Sequence, residues 1–166
     1  MNFNYTLIIY LIIIIYVICN FIYHIKNTKL NSLFKRIDYL EKKGYIQNMT
    51  YLYTKDSDIN ENILKFTNII NYLHNKYKYE KDIYKKGKVS IKIVQFGNTY
   101  RERLYNIINF VNYAKYKNIF VWLSAFYNNN LQDEYFIYLQ LLKLGFTNVG
   151  ITIACYHNYT NKYVET

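Results

Sequence analysis

The sequence predicts an α/β fold built around a parallel sheet. Three apolar runs of strand length begin at Val89, Ile119 and Val149, so they recur every thirty residues. Each gap between them holds an amphipathic stretch of helix length. This alternation is the pattern of βαβ units, whose strands are nearly continuous in Val, Ile and Leu when both faces are covered. Functional residues of such folds lie at the carboxyl ends of the strands, which selects the positions to inspect.

The first predicted elements precede this repeat. An amphipathic helix spans Thr28–Lys43 and stops at Gly44, a residue type typical of the position after a helix. Tyr45–Tyr53 is aromatic and β-branched, as expected of a first strand. Asp58 and Glu61 have the spacing of a capping box and open the next helix. The predicted apolar face of that helix comprises Ile59, Ile63, Phe66, Ile70, Leu73 and Tyr77.

The repeat itself defines the remaining elements. A basic loop, Lys76–Lys88, leads to a second strand at Val89–Phe96, and Thr99 with Glu102 forms another capping box. The later elements are a third strand at Ile119–Phe126, a helix near Leu131–Leu144 that stops at Gly145, and a fourth strand at Val149–Tyr156. The predicted buried positions are Leu104, Ile107, Ile108, Val111 and Ala114 in the first of these helices and Leu131, Tyr135, Leu139 and Leu142 in the second.

The amino-terminal segment predicts a single-pass membrane anchor. The first twenty-five residues contain no Asp, Glu, Lys or Arg, and Leu7–Ile25 is almost wholly apolar. Nineteen residues of helix span about 28 Å, close to the hydrocarbon core of a bilayer. A cleavable signal peptide fits poorly because a basic start and a small-x-small cleavage site are missing, and a core helix would need a polar face. The resulting division is an anchor at 1–26, a linking helix at 27–44 and a domain at 45–166.

Charge and cysteine content add weaker constraints. Positive residues follow the apolar segment and none precede it, which favours a cytoplasmic position for the carboxyl-terminal domain. The net charge of +10 is compatible with an anionic membrane or nucleic acid. However, the lysines and arginines are scattered along the chain, so we predict no nucleic-acid partner. Cys19 and Cys155 cannot form a disulfide framework, and His24, His74 and His157 are isolated, so we predict no metal.

Three strand-like stretches, KVSIKIVQFG, NIFVWLSAFYNNN and NVGITIACYHNYT, resemble the middle of a proline dehydrogenase. Members of that family have stretches similar to V-S-x-K-L-T-x-L-G, I-F-V-R-I-D-M-E and N-V-G-I-x-L-Q-A-Y-L on a flavin-binding (β/α)8 barrel. The similarity runs collinearly from about Leu30 to the carboxyl terminus. The shared residues are Lys92, Gly97, Ile119–Val121, Asn148–Ile151 and Tyr156.

Most of the functional residues that this resemblance implies are replaced. Lys92 matches a family lysine that helps to hold the substrate carboxylate, so the resemblance implies a remnant of that site. The alternative is a structural lysine whose stem packs while its amine reaches water. An arginine, an aspartate and a glutamate of the family correspond to Trp122, Ser124 and Phe126. Ala154 stands where the family offers a glutamine to the flavin. We therefore expect no cofactor, whereas the resembled family binds FAD.

Length limits the resemblance to part of a barrel. A complete barrel takes about 250 residues, so the resemblance implies a half TIM-like barrel of about four parallel strands after the transmembrane helix. Its open sheet edge would need a protein partner or a second copy of the chain. The first hypothesis is a membrane-anchored, catalytically inactive structural or interaction module. The alternatives are a flavin-dependent proline oxidoreductase subunit completed by a second chain, and an unrelated small membrane protein.

Composition suggests a source for such a reduced protein. The excess of Ile, Asn, Lys and Tyr and the absence of Pro are typical of an AT-rich genome. A large DNA virus that captures and shortens host genes would be a natural origin.

Overall fold

The structure, a computed structural model, describes residues 14–15, 31–46, 48–50, 58–124 and 131–152. The chain divides into two compact units, Met1–Tyr45 and Ile46–Thr166. In the first unit, helix α1 is described over residues 31–41 and is followed by a turn in which Gly44 has a φ of +85°. The N–H groups of Gly44 and Tyr45 donate to the carbonyls of Glu41 and Leu40. The helix stop predicted at Gly44 is therefore confirmed as a Schellman-type closure.

The predicted membrane anchor, Leu7–Ile25, lies outside the described residues except for residues 14 and 15, which are helical. Among the residues that the structure describes, no helix combines the length and the apolarity needed to cross a bilayer. The anchor stays a prediction.

Four parallel strands, hydrogen-bonded in chain order, form the sheet of the second unit. The strands are β1 (Asn48–Thr50), β2 (Lys88–Lys92), β3 (Val121–Ser124) and β4 (Val149–Thr152). The connecting helices are α2 (Ile59–Lys76), α3 (Tyr100–Tyr116) and α4 (Leu131–Lys143). The predicted α/β class and its four parallel strands are confirmed.

The hydrophobic core lies on one face of this sheet. Val89, Ile91, Val121 and Leu123 are fully buried, and Met49 is nearly so. Helix α2 packs against α3, and α3 packs against α4. Right-handed crossovers between neighbouring strands place all three helices on the same side. Helices α2, α3 and α4 therefore leave the opposite face of the sheet uncovered, and it is called the uncovered face.

Aromatic side chains centre the core between the sheet and its helices. Phe66 of α2, Phe96 after β2 and Phe110 of α3 lie with ring centroids 5.0–6.1 Å apart. These three rings come from segments far apart in sequence, so their contact fixes α2 and α3 over β2. Aromatic pairs at such separations contribute about 0.5–1.5 kcal/mol beyond the area they bury.

The predicted buried face of α4 is wrong. Ile137 and Leu141 are fully buried, whereas Tyr135 and Leu139 are half-buried and Leu142 is 42 % exposed. The helix is apolar on almost every side, so its sequence did not indicate which side faces the sheet.

The second strand ends earlier than predicted. It stops at Lys92, and a 3₁₀ turn, Ile93–Phe96, replaces the second half of the expected strand Val89–Phe96. The Gln95 side chain accepts the Lys92 N–H at 2.9 Å, and the Asn106 amide donates to the Phe96 carbonyl at 2.8 Å. These bonds satisfy backbone groups that a strand would have paired across the sheet. The first strand also begins later, at Asn48, and predicted strand residues 51–53, 125–126 and 153–156 lie outside the described residues.

The predicted starts of α2 and α3 are confirmed. The Asp58 carboxylate accepts the Asn60 N–H, and Thr99 Oγ1 accepts the Glu102 N–H at 3.2 Å. These side chains satisfy backbone donors that lack a partner inside the helix.

The helices return to the sheet through left-handed turns. Asn118 has a φ of +55° and Gly145 a φ of +78°. The N–H groups that follow them donate back to Ala114 and Leu141. Each turn therefore closes a helix and starts the next strand.

Candidate functional site at the carboxyl ends of the strands

Two rows of side chains cross the uncovered face near the carboxyl ends of the strands. Strand register pairs Lys92 with Ser124 and Ser124 with Thr152. One step deeper, register pairs Thr50, Ser90, Trp122 and Gly150 in sequence across the sheet. Successive side chains in a strand alternate between faces, so both rows project from the face opposite the core.

Two serine hydroxyls connect these rows. Ser90 Oγ and Ser124 Oγ lie 2.9 Å apart, within hydrogen-bond distance. Ser90 is 7 % exposed, and Ser124 is half-buried. Each hydroxyl is therefore a hydrogen-bond partner of the other.

On the uncovered face, the Trp122 indole lies against the neighbouring strand β4. A Cβ added to Gly150 would lie 2.6 Å from Cζ3 and 2.9 Å from Cε3 of the indole, so the ring lies directly on the glycine backbone. The Phe120 ring packs against it at 5.2 Å, and Tyr84 contacts Phe120 at 5.8 Å. A glycine at this position of β4 is what allows a side chain this large to cross the neighbouring strand.

The end of β2 is held by side chains of α3. Arg103 Nε donates to the Gly97 carbonyl at 3.2 Å, and its Nη2 donates to the Asn98 carbonyl at 3.1 Å. Gly97 lies so close to α3 that an added Cβ would be 2.8 Å from the Arg103 backbone nitrogen. The segment that follows β2 is therefore held by hydrogen bonds from α3 to the carbonyls of Gly97 and Asn98.

Sequence reasoning missed two charged side chains beside this end of the sheet. Arg103, in the first turns of α3, is 8 % exposed, and Glu134, in the first turn of α4, is 1 % exposed. Glu134 is the one acidic side chain that is buried among the described residues. A carboxylate at a helix start gains from the helix dipole, which favours its burial there. In the sequence, Glu134 stood out only as one of two adjacent acidic residues, with Asp133, in the first turn of a largely apolar helix.

The structure brings together three of the five predicted site residues. Lys92 is half-buried and is the register partner of Ser124, while Trp122 precedes Ser124 by two residues on the same face. Phe126 and Ala154 lie outside the described residues. The ends of β2 and β3 therefore lie side by side, and the chemical role of each residue stays a prediction.

The described strand-end side chains offer hydroxyls, one amine and an indole. Thr50, Ser90, Ser124 and Thr152 supply the hydroxyls, and Lys92 supplies the amine. Neutral hydroxyls can accept a hydrogen bond from an ammonium group, but they do not carry the charge that would balance it. Within the described residues, these groups can donate and accept hydrogen bonds.

No family model matches the chain, and a search of curated proteins found no significant match. The resemblance to proline dehydrogenases stays a prediction that depends on the motifs quoted above.

Proposed function

We propose that this chain is a membrane-anchored, catalytically inactive relative of the proline dehydrogenases that serves as an interaction module. Its sheet would be half of a TIM-like barrel, and its apolar segment at 7–25 would hold the domain at the cytoplasmic side of a membrane. The observation that carries the proposal is the uncovered face of the four-stranded sheet. Strands in chain order, with helices on one side, are the arrangement from which such barrels are built.

The edges and the uncovered face supply the docking surface. Within the described residues, β1 and β4 each have a single neighbouring strand. An edge strand presents unpaired backbone donors and acceptors, and native proteins cover such edges. The adjoining face presents Trp122 with the Lys92–Ser124–Thr152 row. An aromatic anchor surrounded by small polar groups is typical of the centre of a protein–protein interface.

The replaced strand-end residues support inactivity. Ser124 bonds to Ser90 and cannot provide the charge of the aspartate that the resembled family has there. Trp122 places apolar bulk across Gly150, at a position where the family has an arginine. Electrostatic stabilisation of a transition state depends on charged or dipolar groups fixed at such positions. With these groups replaced, the face is suited to binding.

The partner is tested by purifying the full chain from native membranes and identifying bound proteins by mass spectrometry. A Ser124→Lys variant places a long cation in the docking face, and Ser32→Lys on the exposed part of α1 is the matched control. We expect a stoichiometric partner, or a second copy, to be retained by the control and lost from Ser124→Lys. Recovery of the same partner with both variants would contradict docking at this face.

Lys92 favours a second candidate function, a flavin-dependent oxidoreductase subunit completed by another chain. Its position at the carboxyl end of β2 is where β/α enzymes place functional groups. This candidate predicts proline-dependent reduction of a dye by the assembled complex and loss of that activity in Lys92→Ala. Absence of dye reduction in the assembled complex would leave the interaction module as the better account.

A further inference from the structure

Most of the described lysines of the second unit lie at one end of the sheet. In a β/α fold, the helices run opposite to the strands, so the helix ends and the loops into β2, β3 and β4 share the amino-terminal end of the sheet. Nine lysines occupy these segments, and only two carboxylates, Glu80 and Asp82, accompany them, which leaves a net charge of +7. The lysines of this basic end are Lys76, Lys78, Lys81, Lys85, Lys86, Lys88, Lys115, Lys117 and Lys143.

The other described residues of the same unit have no such excess. Among residues 58–124 and 131–152, the other charged side chains are five carboxylates and four cations, a net charge of −1. They are Asp58, Glu61, Lys65, Lys92, Arg101, Glu102, Arg103, Asp133 and Glu134. Basic residues that are scattered along the sequence therefore come together among the described residues, because the repeat of about thirty residues returns successive helix ends to one place.

Contacts between the segments make the basic end one continuous surface. His74 Nδ1 lies 2.9 Å from the Lys117 carbonyl, which joins the ends of α2 and α3. Lys115 Nζ lies 3.5 Å from the Gly145 carbonyl, which joins the ends of α3 and α4. The ring contact of Tyr84 with Phe120 joins the loop before β2 to the start of β3.

Exposed tyrosines alternate with these lysines. Tyr79 is 90 % exposed, Tyr116 is 81 % exposed and Tyr84 is 61 % exposed. Lysine ammonium groups lie 5.4–5.8 Å from the centroids of the same three rings. Tyrosine has an apolar ring and a polar hydroxyl, so it is favoured where hydrocarbon meets water at the level of lipid headgroups.

We propose that this basic end docks on the surface of an anionic phospholipid bilayer. Lysines near such a surface each strengthen binding about fivefold, and five of them, Lys78, Lys81, Lys85, Lys115 and Lys143, are exposed. The predicted anchor and the predicted cytoplasmic side would place the domain beside the leaflet that carries anionic lipid. The surface goes beyond the proposed function and differs from the docking face, because its lysines lie at the amino-terminal ends of the strands.

Nucleic acid is the rival anionic partner, and the side chains favour lipid. The basic end contains no arginine, although arginine is the residue best suited to bind phosphate and bases in two-point contacts. Its cations extend over three loops beside exposed phenol rings, an arrangement that fits a broad, fluid array of headgroups.

The test measures how close each end of the domain lies to the bilayer in the full chain. A fluorophore is attached at Tyr79→Cys, in a background of Cys19→Ser and Cys155→Ser, and the chain is reconstituted into vesicles that contain a headgroup-linked quencher. Tyr105→Cys, at a 68 % exposed tyrosine nearer the start of α3, is the matched control. We expect quenching at Tyr79→Cys in vesicles with about one-third phosphatidylserine in phosphatidylcholine. It should be lost in phosphatidylcholine alone and in about 1 M salt, where the Debye length is about 3 Å.

Charge variants separate this surface from the anchor and from the docking face. Lys78→Ala, Lys81→Ala and Lys85→Ala together should weaken docking about 100-fold, whereas Arg101→Ala at the opposite end should not. Equal quenching with and without phosphatidylserine, or equal quenching at both labelled positions, would overturn the proposal. So would tight, lysine-dependent binding of a labelled oligonucleotide without any dependence on anionic lipid. If the predicted anchor at 7–25 does not span the membrane, the domain should still bind anionic vesicles peripherally. Circular dichroism verifies that each variant folds.

Discussion

The contact between Gly150 and Trp122 gives the sharpest prediction from the uncovered face. Gly150→Ala would place a methyl group 2.6 Å, 2.9 Å and 3.1 Å from three carbons of the indole ring. Carbon atoms pack at about 3.5–4.0 Å, so the ring would have to move by about 1 Å. Overpacking of this kind costs about 1–3 kcal/mol, and alanine regains about 0.5–1 kcal/mol of backbone entropy relative to glycine. We expect a net loss of about 1–2 kcal/mol in the free energy of unfolding.

Urea unfolding of the full chain provides the assay. Trp122 is the only tryptophan in the sequence, so its fluorescence reports directly on this contact. Gly150→Ala should lower the midpoint of unfolding and shift the emission of the folded state, because the indole is displaced from the strand.

A double-mutant cycle isolates the contact. In a Trp122→Leu background the indole ring is removed, so Gly150→Ala should be neutral or should stabilise the protein by about 0.5 kcal/mol. Circular dichroism replaces fluorescence for these variants. An equal loss of stability in both backgrounds would refute the reasoning, since it would place the cost in the strand backbone and not in the ring contact.

Three further predictions address the turns, a buried amide and a buried amine. Gly145→Ala should lower the free energy of unfolding by about 1 kcal/mol, because a φ of +78° is unfavourable for alanine. Asn148→Ala should cost about 2–3 kcal/mol, because its Nδ2 donates to the buried carbonyls of Val111 and Ile119 at 3.2 Å each. Burial lowers the pKa of Lys86 below its ordinary value of 10.5, and nearby Glu80 partly opposes this shift. The unfolded chain therefore binds more protons between the lowered pKa and 10.5, so stability should rise with pH in that window. Lys86→Met should lack this rise.

Each of these has a direct check. Thermal unfolding measures Gly145→Ala, with Asn118→Gly as the control. Glycine adopts a positive φ without strain, so the control should not be destabilised by its φ. Chemical unfolding measures the Asn148 variant, and a loss below about 0.5 kcal/mol would show that water replaces the amide. The free energy of unfolding is measured against pH for Lys86→Met and for the unchanged chain. The difference between the two curves removes the contribution of the tyrosines, which both proteins share. Identical slopes would contradict the assignment to Lys86.

The strands were predictable from sequence, and where they end was not. Val89, Val121 and Val149 belong to runs of β-branched and apolar residues that only strands or buried helices use. The turn at Ile93–Phe96 is equally apolar, and it depends on Asn106, a residue ten positions away whose amide reaches the Phe96 carbonyl. Hydrophobic periodicity contains no information about such a bond.

The helix starts and stops were also predictable, because they depend on local chemistry. Asp58 and Thr99 cap helices through their own side chains, and α4 ends just before Gly145, as that glycine predicted. The buried side of α4 was not predictable, because apolar residues lie around its whole circumference.

The candidate site was predictable in position and only partly in composition. Lys92 and Ser124 are register partners, as expected for strand ends in a parallel sheet. The cover that Trp122 gives to Gly150 and the burial of Glu134 required the fold. The basic end also required it, because lysines distant in sequence become neighbours only when the repeat folds back on itself.

The central claim is that the strand ends no longer support flavin chemistry and that the fold serves as an interaction module. The most direct measurement is the visible absorbance spectrum of the full chain purified with its partners from native membranes, taken before and after addition of proline. We predict no stoichiometric flavin and no spectral change with proline. A stoichiometric flavin that proline bleaches, and that no longer bleaches in Lys92→Ala, would contradict the account.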